Sequence, residues 1–458
     1  MSSPDTIPDG FDFSRASRFG LRGRMASNSA LLGGSRLISG IMGFVTLIIA
    51  ARALDNNAAF GTLLFIHAYM LFFADVASFH IWQALIRFGS EEVENRHASR
   101  FGALIKTGLA IDAVAALVAY GLSIALFGGY VWLQNRIGWG AGSDVTALLS
   151  YKMIMLYCTV ILFRQVNVSI GVFRLFDKFS VLALRALVMP TVRLVGVVIA
   201  EHKGWGLTGF IAIWYAASLL SYLTLQIFAL IEITKRGFWP LVRRASLCRS
   251  TDFPGLYPFV LKTNIDTTLK AIRKNFPNIA VMLVFGPALF AVYRIAKEIS
   301  RILSRGINLF DQVLFPELSR MAVELDISLL FKTMIKTAFG IGVIGFGVAA
   351  LVMLFGEDIL SLAFNSSFSE APNLAVLLVI ATSLRGIAIP FYTVFYVLVR
   401  PGLAIWVRIF GTGTFIAMFF ALSEKFGIFS IGWAAIIGAA IEVLFATILA
   451  VRIIKRQK

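Results

Sequence analysis

Residues 266–305 read DTTLKAIRKNFPNIAVMLVFGPALFAVYRIAKEISRILSR, two apolar runs meeting at Gly286-Pro287, each with its charge at the far end. Asp266, Lys270, Arg273 and Lys274 follow the spacing i, i+4, i+7, i+8. Arg294, Lys297, Glu298, Arg301 and Arg305 follow i, i+3, i+4, i+7, i+11. Each set falls on one helical face. The other face of the second run carries Ile295, Ile299, Ile302 and Leu303, a period that a surface loop has no reason to keep. The stretch reads as a membrane hairpin. At a rise of about 1.5 Å per residue, Lys274 and Arg301 both sit roughly 20 Å from the turn, past the bilayer middle. The charged half of each helix is therefore expected to border water.

The rest of the chain agrees with a membrane setting. Of 458 residues, 58% are hydrophobic and only 15% charged, a balance that excludes an ordinary soluble domain. Runs such as Leu37–Ala51, Val114–Phe127, Ile341–Phe355 and Ile431–Val451 approach the roughly 20 residues that hydrocarbon requires. The N-terminal 27 residues are polar and lack an apolar core, so no removable signal peptide is expected. Cys158 lies in a span and Cys248 in a basic loop, so no disulfide is expected between them. Neither CxxC nor a His/Cys cluster of metal spacing is present, and no GxxxxGK[ST] loop for ATP, so no metal or other cofactor is called for. The formal charge of +17 is scattered between and within spans, which argues against a nucleic-acid partner.

Hydropathy and turn signals place twelve spans near 29–51, 58–87, 102–128, 148–172, 180–200, 207–232, 259–286, 288–316, 331–355, 373–398, 403–422 and 430–452. Connections on one side hold Arg15, Arg18, Arg22, Arg24, Arg96, Arg100, Arg174, Lys178, Lys235, Arg236, Arg243, Arg244, Arg249, Arg320, Arg400, Lys455, Arg456 and Lys458. Those on the other hold only Arg52, Arg136, Lys203 and Lys425, with acids such as Asp55, Glu201 and Glu357. The positive-inside rule then puts both termini in the cytoplasm. An offset of 230 residues pairs Ala58 with Ala288 and Phe60 with Phe290, and brings the spans of the two halves into step. This predicts an all-α integral membrane protein with two pseudo-symmetric six-helix lobes around a central cationic cavity. The boundaries are a tail 1–28, an N-lobe 29–232, a cytoplasmic linker 233–258, a C-lobe 259–452 and a tail 453–458.

A charge inside a bilayer costs on the order of 3 kcal/mol by insertion scales, so it faces a cavity or a partner. On spans 7 and 8 the cations Lys270, Arg273, Lys274, Arg294, Lys297, Arg301 and Arg305 outnumber the acids Asp266 and Glu298. The offset sets Arg36 at the place of Asp266, His67 at that of Lys297 and Asp75 at that of Arg305. The expected substrate-binding set is thus Arg36, Lys270, Arg273, Lys274, Arg294, Lys297, Arg301 and Arg305, suited to phosphate. His67, Asp75, Asp266 and Glu298 are candidates for exchanging a proton or sodium during transport. Simple hydrogen bonding to a neighbouring helix is the plainer reading of His67 and of Asp75. Lys106, Asp112, Arg164, Arg185, Arg193, Lys332, Lys336, Arg385, Arg408 and Glu442 are further intramembrane charges that identify no substrate.

The words SRLISGIMGFVTLIIAARAL (35–54), FGTLLF (60–65), FRLFDKF (173–179), FGPALFAVYRIAKEI (285–299) and NLFDQVLFPELSRM (308–321) resemble polysaccharide transport proteins of the MOP exporter superfamily, the Wzx-type O-antigen flippases. The resemblance runs over about 28–450. It implies alternating access by two six-helix lobes with a cationic lumen, and no enzyme activity. The implied cargo is an oligosaccharide on undecaprenyl diphosphate, an O-antigen or exopolysaccharide unit moved from the cytoplasmic to the periplasmic leaflet of a bacterial inner membrane. Implied partners are that lipid-linked oligosaccharide, membrane lipids, and the polysaccharide polymerase and glycosyltransferases of the same pathway. A MATE-type multidrug antiporter from the same superfamily is the nearest rival, but it is expected to offer acids to organic cations. A lipid II flippase usually carries two extra spans. A membrane polymerase or ligase places its chemistry in a large outer loop; here the outer connections are short and hold one histidine, His202.

Overall fold

A computed structural model describes residues 21–137, 150–249, 251–323, 327–364, 368–397 and 401–455. The side chains of Arg15, Arg18, Arg22, Arg24, Lys455, Arg456, Lys458 and Asp266 lie outside the described residues, as do those of 308–328, which carry the VLFPELSRM word. Among the described residues all regular structure is helical.

Ten stretches are long and apolar enough to cross a membrane. Two of them each contain two spans. Helix Leu256–Val323 turns at Gly286, whose φ of 78° separates span 7 from span 8. Stretch Gly402–Ile453 divides into helices Pro401–Phe426 and Ser430–Lys455 beside Gly427, φ 53°. The described residues therefore hold twelve spans, as hydropathy predicts. The others lie in Leu21–Leu54, Asn57–Val76, Ala98–Ile137, the interrupted stretch Tyr151–Leu175, Phe179–His202, Leu207–Lys235, Ile327–Ala363 and Ala371–Val397. The repeat shows at the turns. Asp55 takes φ 42° between spans 1 and 2, one residue off the 230 offset from Gly286. Asn56 then accepts from the backbone N–H of Ala58 at 2.8 Å and of Ala59 at 3.2 Å, capping span 2.

Span 2 is shorter than its hydropathy suggests. The helix ends at Val76, and Trp82–Glu94 forms a separate amphipathic helix burying Ala84, Leu85, Gly89 and Val93. Its other face carries Arg87, Glu91 and Glu94, so the apolar residues 81–86 belong to a half-buried helix outside the span.

The fold consists of two compact units, Met1–Leu54 with Phe65–Ile279, and Asp55–Leu64 with Ala280–Lys458. In the first, segment 233–258 is packed in place, with Phe238, Val242, Cys248, Phe253 and Leu256 buried beside Phe101 and Phe176. Lys106 donates to the carbonyls of Arg243 and Ala245 at 3.0 and 2.6 Å, holding the end of the short helix Trp239–Arg244 by charge and hydrogen bond. In the second, the start of span 2 lies against span 8. A Cβ on Gly61 would stand 1.8 Å from the Pro287 carbonyl oxygen and 3.3 Å from the Ala291 nitrogen, its mate at the 230 offset. Phe60 meets Phe368 edge-on at 6.1 Å in the same unit.

Gly61→Val drives a side chain into fixed backbone. It is expected to cost about 3 kcal/mol or more, read as a lower melting temperature in detergent. Gly34→Val, where a Cβ meets nothing within 4 Å, is the matching control and is expected to melt like the native chain.

Candidate functional site

Span 4 is discontinuous. Its pieces are Tyr151–Cys158, Val160–Arg164 and Asn167–Leu175, with Gln165 and Val166 out of helical conformation between the last two. Unwound backbone in a bilayer stands only where its N–H and C=O groups find partners. Here the buried Asp112 of span 3 accepts from the Asn167 amide at 2.8 Å and from the Val168 backbone N–H at 3.2 Å, so it caps the third piece. Gln226 of span 6 donates to the freed Phe163 carbonyl at 2.9 Å. Asn167 also donates to Ser78 at 3.2 Å. The sequence signal for this break is the polar run RQVNVS at 164–169, inside an otherwise apolar span.

Two charged clusters of the first unit surround span 4. Asp75 of span 2 pairs with Arg164 through one carboxylate oxygen and accepts from Asn275 of span 7 at 3.2 Å through the other. Arg164 lies 6.0 Å from the Tyr222 ring centre, and Arg185 of span 5 lies 5.3 Å from the same ring. The second cluster centres on His67. Arg193 of span 5 reaches its Nε2 at 3.0 Å, and Tyr157 of span 4 meets its Nδ1 at 3.0 Å. The same guanidinium nitrogen lies 3.3 Å from Nδ1, so Arg193 spans both ring nitrogens. Arg193 also donates to Ser218 at 3.2 Å and lies 5.0 Å over Trp214.

Of the residues expected to bind substrate, Arg36 is exposed on span 1, near Arg174. Lys270 and Lys274 are exposed and Arg273 half-buried in the first unit. In the second unit, buried Glu298 accepts from Arg301 at 2.6 Å and pairs with Arg305 at 3.6 Å. Arg294 is close by, with a buried Nε that has no hydrogen-bond partner. Lys297 lies 5.1 Å over the Tyr293 ring. Arg294, Arg301 and Arg305 thus gather around Glu298, the one carboxylate of this cluster among the described residues. His67 and Asp75 join instead with Arg193, Arg164 and Arg185, which the sequence lists only among the lesser charges. The residues that reasoning from sequence missed are Asn275, Tyr157 and Tyr222, uncharged side chains whose partners lie on other spans.

Comparison with known proteins follows this geometry. Residues 25–322, well over half of the chain, match the family described as polysaccharide biosynthesis protein, and the chain belongs to that family. Inner membrane protein YghQ of Escherichia coli (strain K12) is 26% identical over 347 residues, covering 76% of this chain and 94% of that protein. Among solved structures, a multidrug resistance MATE family transporter of the MOP superfamily, in its inward-facing conformation, superposes with a TM-score of 0.69 at 14% identity, covering 92% of this chain and 98% of its own. The lipid II flippase MurJ, inward closed, superposes at 0.64 with 14% identity, covering 92% and 87%. The fold is shared with these two transporters, and the resemblance to polysaccharide transport proteins read from the sequence words is borne out.

Asp112→Ala removes the acceptor from a buried N–H and a buried amide at the break. It is expected to cost about 3 kcal/mol, while Asp112→Asn, which keeps one acceptor, costs about half as much. Melting of the two purified variants beside the native chain checks the order.

Proposed function

We propose that this member of the polysaccharide biosynthesis protein family is a flippase in a bacterial inner membrane, carrying oligosaccharide linked to undecaprenyl diphosphate from the cytoplasmic to the periplasmic leaflet. The observation that carries the reading is the excess of cations on span 8: Arg301 and Arg305 pair with Glu298, Arg294 lies close to it, and Lys297 is its neighbour in the chain. Such a cluster suits a diphosphate, whose oxygens accept several charge-assisted hydrogen bonds at once. It repels an organic cation, which weighs against a MATE-type drug antiporter despite the shared fold. A lipid II flippase with the same fold supports a lipid-linked cargo.

In this reading the cations of span 7, Lys270, Arg273 and Lys274, also serve the phosphates of the cargo. Arg36 adds to these cations. Movement is by alternating access, with both termini in the cytoplasm and an ion gradient or the membrane potential as the drive. His67, Asp75, Asp266 and Glu298 are the groups that exchange the coupling ion. Glu298 suits the role because protonation weakens its hold on Arg301 and Arg305 together. The partners are the polysaccharide polymerase and glycosyltransferases that consume and supply the cargo. The chain performs transport and no bond-making step of its own.

Proteoliposomes holding an undecaprenyl-diphosphate oligosaccharide test this directly. Native protein is expected to move the lipid between leaflets, and Lys274→Ala/Arg301→Ala to slow it about tenfold or more, a barrier increase of at least about 1.4 kcal/mol. Export of an organic cation with no movement of the glycan lipid would transfer the assignment to the antiporter class. Glu298→Gln is expected to insert and melt normally but turn over more slowly; an unchanged rate removes Glu298 from the coupling step.

A further inference from the structure

The interruption of span 4 has polar groups converging on it from five spans, more than its backbone repair requires. Asp112 and Gln226 satisfy the unwound residues. Asp75, Arg164, Arg185 and Asn275 take no part in that repair. Arg164 ends the second helical piece, and with Arg185 it shares the ring of Tyr222. Two guanidinium groups held against one ring repel each other. One carboxylate, Asp75, stands against both, and it contacts only Arg164. Among the described residues Arg185 has no carboxylate partner, and the Nε atoms of Arg164 and Arg185 are buried without a hydrogen bond. The cluster has one carboxylate for two arginines among the described residues, and the Arg164 and Asp75 side chains keep 20% and 21% of their surface open.

We propose that the break in span 4 is an oxyanion site, in which Arg164 and Arg185 hold a phosphate or carboxylate of the cargo, and that Asp75 occupies this place in the unloaded state. An arriving oxyanion with two or three accepting oxygens engages both arginines, which the single Asp75 carboxylate does not do. Displacing Asp75 from Arg164 leaves that carboxylate to Asn275 alone. Loading at span 4 thereby reaches span 7 through one side chain. Discontinuous spans that bear on a ligand are a recurrent transporter device, and here the non-helical stretch begins at the residue after Arg164. Asp75 is a positioning residue in this scheme, and Arg185 a binding residue. The inference rests on the reading of the chain as a carrier of anionic glycolipid, and it adds a site separate from the span 8 cluster.

Equilibrium binding of radiolabelled undecaprenyl diphosphate to the full-length protein in detergent tests it, with Asp75→Asn and Arg185→Gln compared against native. Asp75→Asn removes the competing carboxylate while keeping an acceptor for Asn275, and is expected to bind about tenfold tighter; Arg185→Gln is expected to bind about tenfold weaker. A purely structural Asp75 predicts a lower melting temperature and no gain in affinity. Arg185→Gln breaks no ion pair, so it stands as the second test if Asp75→Asn fails to fold. Competition by inorganic pyrophosphate, and not by a glucuronate oligosaccharide, assigns the oxyanion to the lipid carrier; the reverse assigns it to an acidic sugar. Native affinity in both variants overturns the site, and leaves the flippase reading intact if native protein still moves the glycolipid. Native protein that binds no diphosphate lipid, pyrophosphate or glucuronate overturns both.

Discussion

Hydrocarbon supplies no hydrogen-bond partner, so every backbone group or charge in a span must be answered by another span. The interruption at Gln165 and Val166 is where this constraint acts hardest. Without Asp112 the third piece of span 4 starts with uncapped N–H groups, and without Gln226 the Phe163 carbonyl faces nothing polar. The first unit is therefore organised by contacts to span 4 from spans 2, 3 and 6. Its apolar packing at 233–260, with Phe101, Phe176 and Phe238 ring on ring, then holds the adjoining helix ends. A break of two residues thus dictates which polar side chains the neighbouring helices carry.

The same constraint governs the charges. Asp75 and Arg305 are related by the 230-residue offset, and each has a partner of opposite sign: Asp75 holds Arg164, while Arg305 pairs with Glu298. The two halves have exchanged acid for base while keeping an ion pair at the matched position. In both places the acid is outnumbered by arginines. A bilayer tolerates this excess only beside water or an anion, a condition that the proposed oxyanion cargo meets. Deleting one partner of such a pair leaves a buried charge, so loss-of-function substitutions here need a stability measurement beside them.

Much of this was legible from sequence. The Gly286-Pro287 turn stands out because proline disfavours helix at the residue before it and glycine tolerates a positive φ, which Gly286 takes at 78°. The FRLFDKF turn also carries a positive φ, 58° at Asp177 between spans 4 and 5. The one-face spacing of Glu298, Arg301 and Arg305 appears directly as contacts. Two features were hidden. Residues 81–86 are apolar enough to pass as the end of span 2, and only the charged face of Trp82–Glu94 separates them. The break in span 4 lay behind the apolar residues on either side, though RQVNVS marks it. Partnerships such as Asp75 with Arg164 join residues 89 apart in the chain, and no local pattern carries that information.

The central claim is that the cations serve an anionic glycolipid, and the contents of the protein test that most directly. Native mass spectrometry of the chain, extracted in mild detergent from a cell that makes undecaprenyl-diphosphate glycans, reads the cargo without reconstitution. The account predicts a bound species with the mass of an undecaprenyl-diphosphate-linked glycan. Bound organic cations, with the glycolipid absent although the cell contains it, would contradict it.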